Sequence, residues 1–429
     1  MKIRQKNIRF LTYGAFASFG TYFCMYAFRK PFTVATYENL VFFGIDYKIL
    51  LIIAQVLGYM LSKFIGIKLI SELTVRNRFR YLIAMIAVAE LALVLFGWVP
   101  RPFNTFFMFL NGLSLGMIWG VVFSYLEGRK FTEILGVILC SSFIVSSGVV
   151  KSAGLLVMNH LSVSEFWMPA VTGALFLIPF ASFSKLLDRI PPPTKEDKIL
   201  RKARLPMSRK DRKKVLAQFF FPLFILVLFY VILTAMRDFR DNFSREIWDA
   251  VGYAGDASIY TLSEIPIAII VLFSIGLFAF IKDNYRAFLS YHYLLVCGSI
   301  SIGLSSILFQ IQLIGPVFWM VLVGLGLYIC YVPFNCIFFD RMIATFRIKG
   351  NAGYLIYIAD AFGYFGSMTV LLYKNFGQHT VSWLKFFING TYGIAVIGTL
   401  TAIISLVYFK RKYKKRYPVP ENQIPIVEL

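Results

Sequence analysis

Long apolar runs alternate with short polar, mostly basic segments along the whole chain. A helix needs about 20 mostly apolar residues to cross the hydrocarbon of a bilayer. Backbone groups in lipid must be hydrogen-bonded within their own segment, and the runs show no two-residue alternation, so we expect helices and not a barrel. The pattern predicts twelve spans, near residues 9–36, 47–70, 80–99, 103–126, 132–158, 165–187, 215–242, 255–281, 286–309, 315–340, 350–374 and 382–409.

A polar break separates the sixth span from the seventh. Residues 188–214 contain three consecutive prolines and carry eleven Lys or Arg against four Asp or Glu. Six spans, a basic linker and six more spans are typical of two pseudo-symmetric bundles that face each other across a midplane site. The predicted domains are an N-terminal bundle (1–187), a basic cytoplasmic linker (188–214), a C-terminal bundle (215–409) and a basic cytoplasmic tail (410–429).

The composition excludes a water-soluble protein. Of the 429 residues 58% are hydrophobic and 15% are charged, and the mean hydropathy is +0.70. The formal charge of +22 would suggest a nucleic-acid partner in a soluble chain, but here most Lys and Arg lie between apolar runs, as the positive-inside rule requires. We therefore expect a protein of the bacterial inner membrane, with both termini cytoplasmic, a retained first span and no nucleic-acid partner.

Residue groups that support catalysis or metal binding are not visible in the sequence. The five cysteines fall inside apolar stretches without a Cys-x-x-Cys spacing, and the three histidines are far apart. No catalytic triad and no phosphate-binding glycine loop is present. We expect no enzyme activity, no cofactor and no metal.

Charged side chains inside the apolar runs are the main functional signal. Each costs roughly 2.5 to 3.5 kcal/mol at a helix centre on insertion scales, so such residues are rare and line polar interiors. We expect them to face a wet cavity or one another. They are Arg29, Lys63, Lys151, Arg237, Glu264 and Asp360.

Tyrosines accompany the cations of the first two spans. Tyr22, Tyr26 and Arg29 are spaced four and three residues apart, and Tyr59 precedes Lys63 by four, so helical geometry places each group on one face. Arginine binds a phosphate or carboxylate with a two-pronged fork, lysine adds a point charge, and tyrosine hydroxyls complete the oxyanion shell. The pattern predicts a binding site for a small anion.

Arg237 lies in the seventh span at a position similar to that of Arg29 in the first. Each predicted bundle therefore offers an arginine to the central site. Asp238, Arg240 and Asp241 follow it, so an internal salt-bridge ladder at the end of the span is the alternative interpretation.

The residues of the first two spans also have structural interpretations. Tyr22, Tyr26 and Tyr59 are equally compatible with plain packing or an interfacial aromatic belt. Arg29 and the adjacent Lys30 are also compatible with a pair that snorkels to the membrane surface near a helix end.

The remaining charged residues admit two interpretations of equal weight. In the structural one, Lys151 neutralises Asp360 or another buried carboxylate, and Glu264 bonds to backbone freed by Pro266. In the functional one, Glu264 or Asp360 titrates, and thereby couples transport to protons or binds an amine of the substrate.

Short motifs in three spans resemble the organophosphate:phosphate antiporter family of the major facilitator superfamily. Tyr26–Phe32 is similar to the family's Y-x-x-R-K-x-F, and Tyr59–Phe64 is similar to its Y-G-F-S-K-F. Phe362–Gly366 resembles its F-G-Y-L-G. Ser71 with Glu72, and the residues 76–80, resemble a weakened form of the superfamily's acidic and basic loop motif.

The resemblance implies the major facilitator fold and exchange of a phosphorylated solute for inorganic phosphate by alternating access. Carried over by position, Arg29 and Arg237 would bind the substrate phosphate and Lys63 would add positive potential. The same site would be lined by Tyr22, Tyr26 and Tyr59.

The chain departs from the family pattern in its other charges. The glycerol-phosphate branch has a histidine in the fifth span, whereas residues 140–148 contain none and Lys151 lies slightly further on. Four carboxylates are added as possible coupling or charge-pair groups, namely Asp238, Asp241, Glu264 and Asp360. Two alternatives therefore stay open: a proton-coupled carrier of an organic anion, and a transporter-like membrane sensor of a phosphorylated ligand.

Overall fold

The computed structural model describes residues 2–71, 77–127, 129, 131–194, 197, 209–348, 352–377 and 380–417. Parts of the predicted linker (195–196 and 198–208) and of the predicted tail (418–429) lie outside the described residues. The same holds for Glu72 and Arg76 of the loop motif.

The described residues before the linker form seven α-helices. A short β-hairpin (β1, Val41–Phe42; β2, Ile45–Asp46) connects the first two, and Phe43 and Gly44 form its turn with positive φ angles of 56° and 72°. The helices are α1 (Lys2–Met25), α2 (Tyr47–Ser71), α3 (Arg78–Trp98), α4 (Thr105–Leu115), α5 (Ile118–Leu126), α6 (Thr132–Leu161) and α7 (Met168–Asp188).

The described residues after the linker form eight more α-helices. A π-helical turn, Tyr373–Gly377, follows the seventh of them. The helices are α8 (Arg209–Asn242), α9 (Ser244–Ala250), α10 (Ser258–Ala279), α11 (Asn284–Gln310), α12 (Pro316–Cys336), α13 (Phe338–Thr345), α14 (Ala352–Leu372) and α15 (Trp383–Arg416).

Eleven segments of the described chain are long and apolar enough to cross a membrane, with α4 and α5 counted as one span. Helix α1, 24 residues long, is the twelfth long helix and corresponds to the first predicted span. The chain is therefore an all-α integral membrane protein, as predicted.

The first span differs from the predicted helix over residues 9–36. Helix α1 ends at Met25, and two 3-10 turns follow, Tyr26–Phe28 and Pro31–Val34. Pro31 has no N–H with which to bond the carbonyl oxygen four residues earlier, so the α-helix does not continue through it. Arg29 consequently lies between two turns and not on the face of a continuous helix.

Other predicted spans are interrupted in a similar way. The fourth is divided into α4 and α5, and the tenth, predicted over 315–340, is divided at Ile337 into α12 and α13. Helix α8 has a kink at Phe219 (φ −126°, ψ 20°), three residues before Pro222, whose ring cannot be accommodated in a straight helix.

The helices before the linker pack mainly with one another, and so do those after it. Contacts between the halves come mainly from α6 with α10 and from α2 with α14. Gly148 permits the first of these, because a Cβ there would lie 2.3 Å from the Tyr260 carbonyl oxygen. Two helix pairs thus enclose the space between the halves, which positions the buried charges described next.

Hydrogen bonds identify which span ends lie together. Glu165 accepts bonds from Thr36 and from the backbone N–H of Tyr37, and Tyr47 donates to Asn104. We call the side on which these three connections meet the far side. The side on which α1 begins and α15 ends is called the terminal side.

Candidate functional site: a buried charge network between the halves

The segment of residues 26–34 is held by two buried amides. The Gln55 amide on α2 donates 2.9 Å to the Arg29 carbonyl oxygen, and the Asn111 amide on α4 donates 2.9 Å to the Phe28 carbonyl oxygen. The two amides also bond to each other at 2.9 Å. Carbonyl groups freed by the end of α1 are thereby satisfied, and the position of Arg29 is fixed.

The Arg29 guanidinium is surrounded by tyrosine rings. Its Cζ lies 3.9 Å from the ring centre of Tyr59, 5.7 Å from that of Tyr26 and 5.8 Å from that of Tyr364. Arg29 is 3% exposed, its Nε has no hydrogen-bond partner, and it forms no ion pair within the described part of the chain. A buried arginine that lies among aromatic faces and forms no ion pair keeps its fork available for an anion.

Tyr22 extends this aromatic lining. Its ring centre lies 5.7 Å from that of Tyr26, and Tyr59 packs on Tyr364 with ring centres 4.7 Å apart. All four rings are buried. Tyr22, Tyr26 and Tyr59 therefore lie together around Arg29 and not in an interfacial belt.

Arg237 on α8 has a different environment. Its Nη2 is 2.8 Å from Asp238 Oδ1, and its Cζ lies 4.2 Å from the Tyr331 ring centre. The second oxygen of Asp238 accepts a bond of 2.9 Å from the Ser367 hydroxyl. Both Arg237 and Arg29 interact electrostatically with Asp238. The two arginines thus border the same region, but Arg237 is already neutralised by its neighbour.

Lys63 on α2 pairs across the two halves with Asp360 on α14. The Nζ–Oδ2 distance is 2.7 Å, and the Tyr230 hydroxyl donates 2.5 Å to the other carboxylate oxygen. Lys63 and Asp360 are each 3% exposed. Removing one partner of such a pair would leave a buried charge uncompensated, which costs about 3–5 kcal/mol.

Asp241 at the end of α8 binds two lysines of the first half. Its Oδ2 lies 2.5 Å from Lys30 Nζ, and its Oδ1 lies 2.5 Å from Lys151 Nζ. The Ser147 hydroxyl also donates to Oδ1, and Lys30 donates 2.7 Å to the Asn242 side chain. Lys30, Lys151 and Ser147 are called the lysine cradle below.

A further pair lies beside the cradle, within the second half. Arg240 Nη1 is 2.6 Å from Glu264 Oε1, whereas Glu264 Oε2 has no hydrogen-bond partner. A small pocket lies here, and its lining includes both of these residues, Lys151, Ser244 and Trp248.

These side chains form one central charge network with six cations and four carboxylates. Its formal surplus is two positive charges, one at Arg29 and one at the lysine cradle, where two lysines share Asp241. The members are Arg29, Lys30, Lys63, Lys151, Arg237, Arg240, Asp238, Asp241, Glu264 and Asp360.

The structure corrects several of the alternative interpretations. Lys30 is 1% exposed and bonds to Asp241, so it does not snorkel. Lys151 does pair with a buried carboxylate, as its structural interpretation predicts, but this carboxylate is Asp241 and not Asp360. Glu264 bonds to Arg240 and not to the backbone near Pro266, and only the Arg237–Asp238 pair of the supposed ladder is internal to α8.

Sequence reasoning did not find several residues of this site. Gln55, Asn111 and Arg240 are polar side chains within apolar runs, and that signal could have identified them. Tyr364 was part of a motif without an assigned role, and the tyrosines at 230 and 331 resemble ordinary packing residues in sequence. Their positions depend on how distant helices meet.

The comparisons with known proteins agree with this architecture. The sequence profile of a family of unknown function, DUF5690, matches residues 31–412. A search of curated proteins finds no match.

Solved structures with a similar fold are membrane transporters at low sequence identity. The chain matches a D-xylose-proton symporter with a TM-score of 0.58 at 13% identity, over 92% of this chain and 96% of that one. It matches the nucleoside transporter NupG with 0.57 at 13%, over 93% and 100%. A bacterial homologue of the human drug peptide transporters PepT1 and PepT2 gives 0.59 at 12%, over 94% and 99%. The chain therefore belongs to the DUF5690 family and has the major facilitator fold.

Proposed function

We propose that this protein is a secondary transporter that moves a small phosphorylated organic anion by alternating access, in exchange for inorganic phosphate. The proposal includes a monomer in the bacterial inner membrane with cytoplasmic termini. The structural neighbours named above carry different solutes, so the fold supports transport in general. The argument for an anionic solute rests on the residues of the site.

The observation that carries the proposal is the environment of Arg29. Burying a guanidinium without a carboxylate partner is costly unless a ligand neutralises its charge and accepts its hydrogen bonds. The tyrosines around it supply hydroxyl groups for the ligand's remaining oxygens. The surplus of two positive charges in the central charge network matches a phosphate monoester, which carries close to two negative charges at neutral pH. A bound dianion would make the network neutral.

Ion pairs at both ends of the molecule support the mechanism of alternating access. On the far side, Lys48 pairs with Glu246 at 2.5 Å, close to the lysine cradle. On the terminal side, Arg341 pairs with Glu133 at 2.9 Å. Each pair joins the two halves, so opening toward one side breaks the pairs there and keeps those of the other side.

Counterflow in proteoliposomes tests the proposal. Vesicles loaded with phosphate should accumulate external labelled phosphate, and sugar phosphates should compete with it. Arg29→Lys should abolish the exchange although the charge is kept, since an ammonium cannot reproduce the two-pronged contact. Arg286→Lys, at an exposed position of α11, is the matched control and should exchange normally.

Two outcomes would contradict the proposal. Normal exchange by Arg29→Lys would remove Arg29 from the binding site. Saturable binding of the phosphorylated ligand without any flux in well-folded protein would instead favour a membrane sensor.

A second candidate, a proton-coupled organic-anion carrier, is favoured by Glu264. Its Oε2 is buried without a partner beside the small pocket between α6 and α10, where a proton can be accepted. In that case uptake should respond to an imposed proton gradient, and Glu264→Gln should remove the response. Uptake that is indifferent to both would leave phosphate exchange as the mechanism.

A further inference from the structure

The lysine cradle has the chemistry of an oxyanion site. Two ammonium groups and one hydroxyl converge on the two oxygens of a single carboxylate, and both lysine contacts are 2.5 Å. Charge-assisted hydrogen bonds of this kind are the usual means of binding a carboxylate or a phosphate. In this structure the Asp241 carboxylate occupies the position of such a ligand.

The donors and the carboxylate belong to different halves of the protein. Lys151 and Ser147 lie on α6, and Lys30 lies in the segment of residues 26–34, which the first half holds through Gln55 and Asn111. Asp241 lies on α8 of the second half. When the halves separate on the far side, Asp241 leaves with α8, whereas the three donors stay together.

The charge balance of the cradle favours an anion over an empty site. Two lysines share one carboxylate, so one positive charge is uncompensated even in the closed arrangement. Without Asp241 two buried ammonium groups would face each other, which is unfavourable in a medium of low dielectric constant. A dianion would neutralise both.

A small pocket adjoins the cradle. Lys151 lines it together with Gly148 on the same helix and Ser244 at the start of α9. The Lys151 side of the cradle therefore adjoins free space.

We propose that the lysine cradle is a second anion site, at which an incoming phosphate or carboxylate group replaces the Asp241 carboxylate when the halves separate on the far side. Asp241 is an internal competitor for this site. The inference rests on the proposed function, because it assigns a capture step to the same anion transport, but its binding test does not depend on Arg29.

The experiment measures phosphate binding in the full chain that carries Arg29→Lys, so that the first anion site is already disabled. Thermal unfolding in detergent is followed over a titration of inorganic phosphate at constant ionic strength, and the shift of Tm gives an apparent Kd. Asp241→Asn in this background should lower that Kd about tenfold, because the competing carboxylate loses its charge. Adding Lys151→Gln should remove the phosphate-dependent shift.

Glu246→Gln in the same background is the matched control. It also breaks an ion pair between the halves on the far side, but it frees only Lys48 and leaves the lysine cradle and Asp241 unchanged. Easier separation on the far side lets Asp241 leave the cradle more often but keeps its charge in competition, so the Kd for phosphate should fall by less than in Asp241→Asn. An equal decrease in Glu246→Gln and Asp241→Asn would show that looser closure, and not a freed cradle, increases binding, which overturns the proposal.

Other results also decide the matter. An unchanged Kd in folded Asp241→Asn, or phosphate that shifts none of the variants, overturns the second site. Should Asp241→Asn fail to fold, Lys151→Gln is tested alone, because this variant keeps the Lys30–Asp241 pair. Loss of the Tm shift that the parent shows at high phosphate then supports the proposal. A shift that persists in this variant overturns it. Counterflow by the protein with native Arg29 tests the proposed function separately.

Discussion

Arg29 and Arg237 occupy similar positions in the two halves, yet their surroundings differ. Arg237 lies on a continuous helix beside its own counter-ion, Asp238, whereas Arg29 lies between two 3-10 turns and is surrounded by tyrosines. Both halves therefore carry an arginine at this position, but only Arg237 has a counter-ion beside it. Among the described residues Arg29 forms no ion pair, whereas Arg237 already has a counter-ion on its own helix. Of these two arginines, Arg29 is therefore the one that can accept a ligand's charge under the proposed function.

The largest effect should separate the two arginines in transport. Arg29→Lys should reduce phosphate counterflow by about a hundredfold or more, because its charge-assisted fork is the main contact with the anion. Arg237→Lys should reduce it by only about tenfold, since a lysine there can still pair with Asp238. Initial exchange rates at matched protein incorporation measure both, and equal losses would show that the two arginines bind the anion alike.

The stability of the folded protein should change in the opposite order. Asp238→Asn leaves Arg237 buried without a counter-ion and should lower the free energy of unfolding by about 3 kcal/mol. Arg29→Met removes an uncompensated charge and keeps most of the apolar volume, so it should leave stability unchanged or increased while abolishing exchange. Thermal unfolding in detergent gives both values; a strongly destabilised Arg29→Met would mean that the arginine has a structural partner.

The amides that hold the Arg29 segment should matter for both stability and exchange. Asn111→Leu removes the donor to the Phe28 carbonyl oxygen and should cost about 1–3 kcal/mol, with an additional loss of exchange because Arg29 shifts. Asn104→Leu is the matched control, since this buried asparagine bonds to Tyr47 on the far side. It should cost a similar free energy but leave the exchange rate per folded molecule unchanged.

The smallest effect should come from the ring that lies over Arg29. Tyr59→Leu removes a buried cation–π contact worth about 2 kcal/mol, whereas Tyr59→Phe keeps the ring and removes only the hydroxyl. We expect Tyr59→Phe to raise the concentration for half-maximal exchange a few-fold and Tyr59→Leu to raise it further. Equal effects of the two variants would show that the hydroxyl, and not the ring, is the important group.

Much of the fold was predictable because hydropathy is a local property. Apolar runs of sufficient length have to become helices in a membrane, so the spans and the all-α class follow from the sequence. The ends of α1 and α12 were not placed correctly. There the chain leaves the helix within an apolar run, and buried side chains such as Gln55 replace the lost backbone bonds.

The sequence by itself determined which charged residues are placed in the membrane, because the cost of burying a charge makes each of them conspicuous. Only the tertiary structure decided how they pair. Lys63 and Asp360 are 297 residues apart in the chain, and Asp241 binds two lysines that lie on different segments, so no spacing in the sequence encodes these contacts. Ion pairing depends on distances of a few ångströms between helices, and those distances exist only when both halves are folded and packed together.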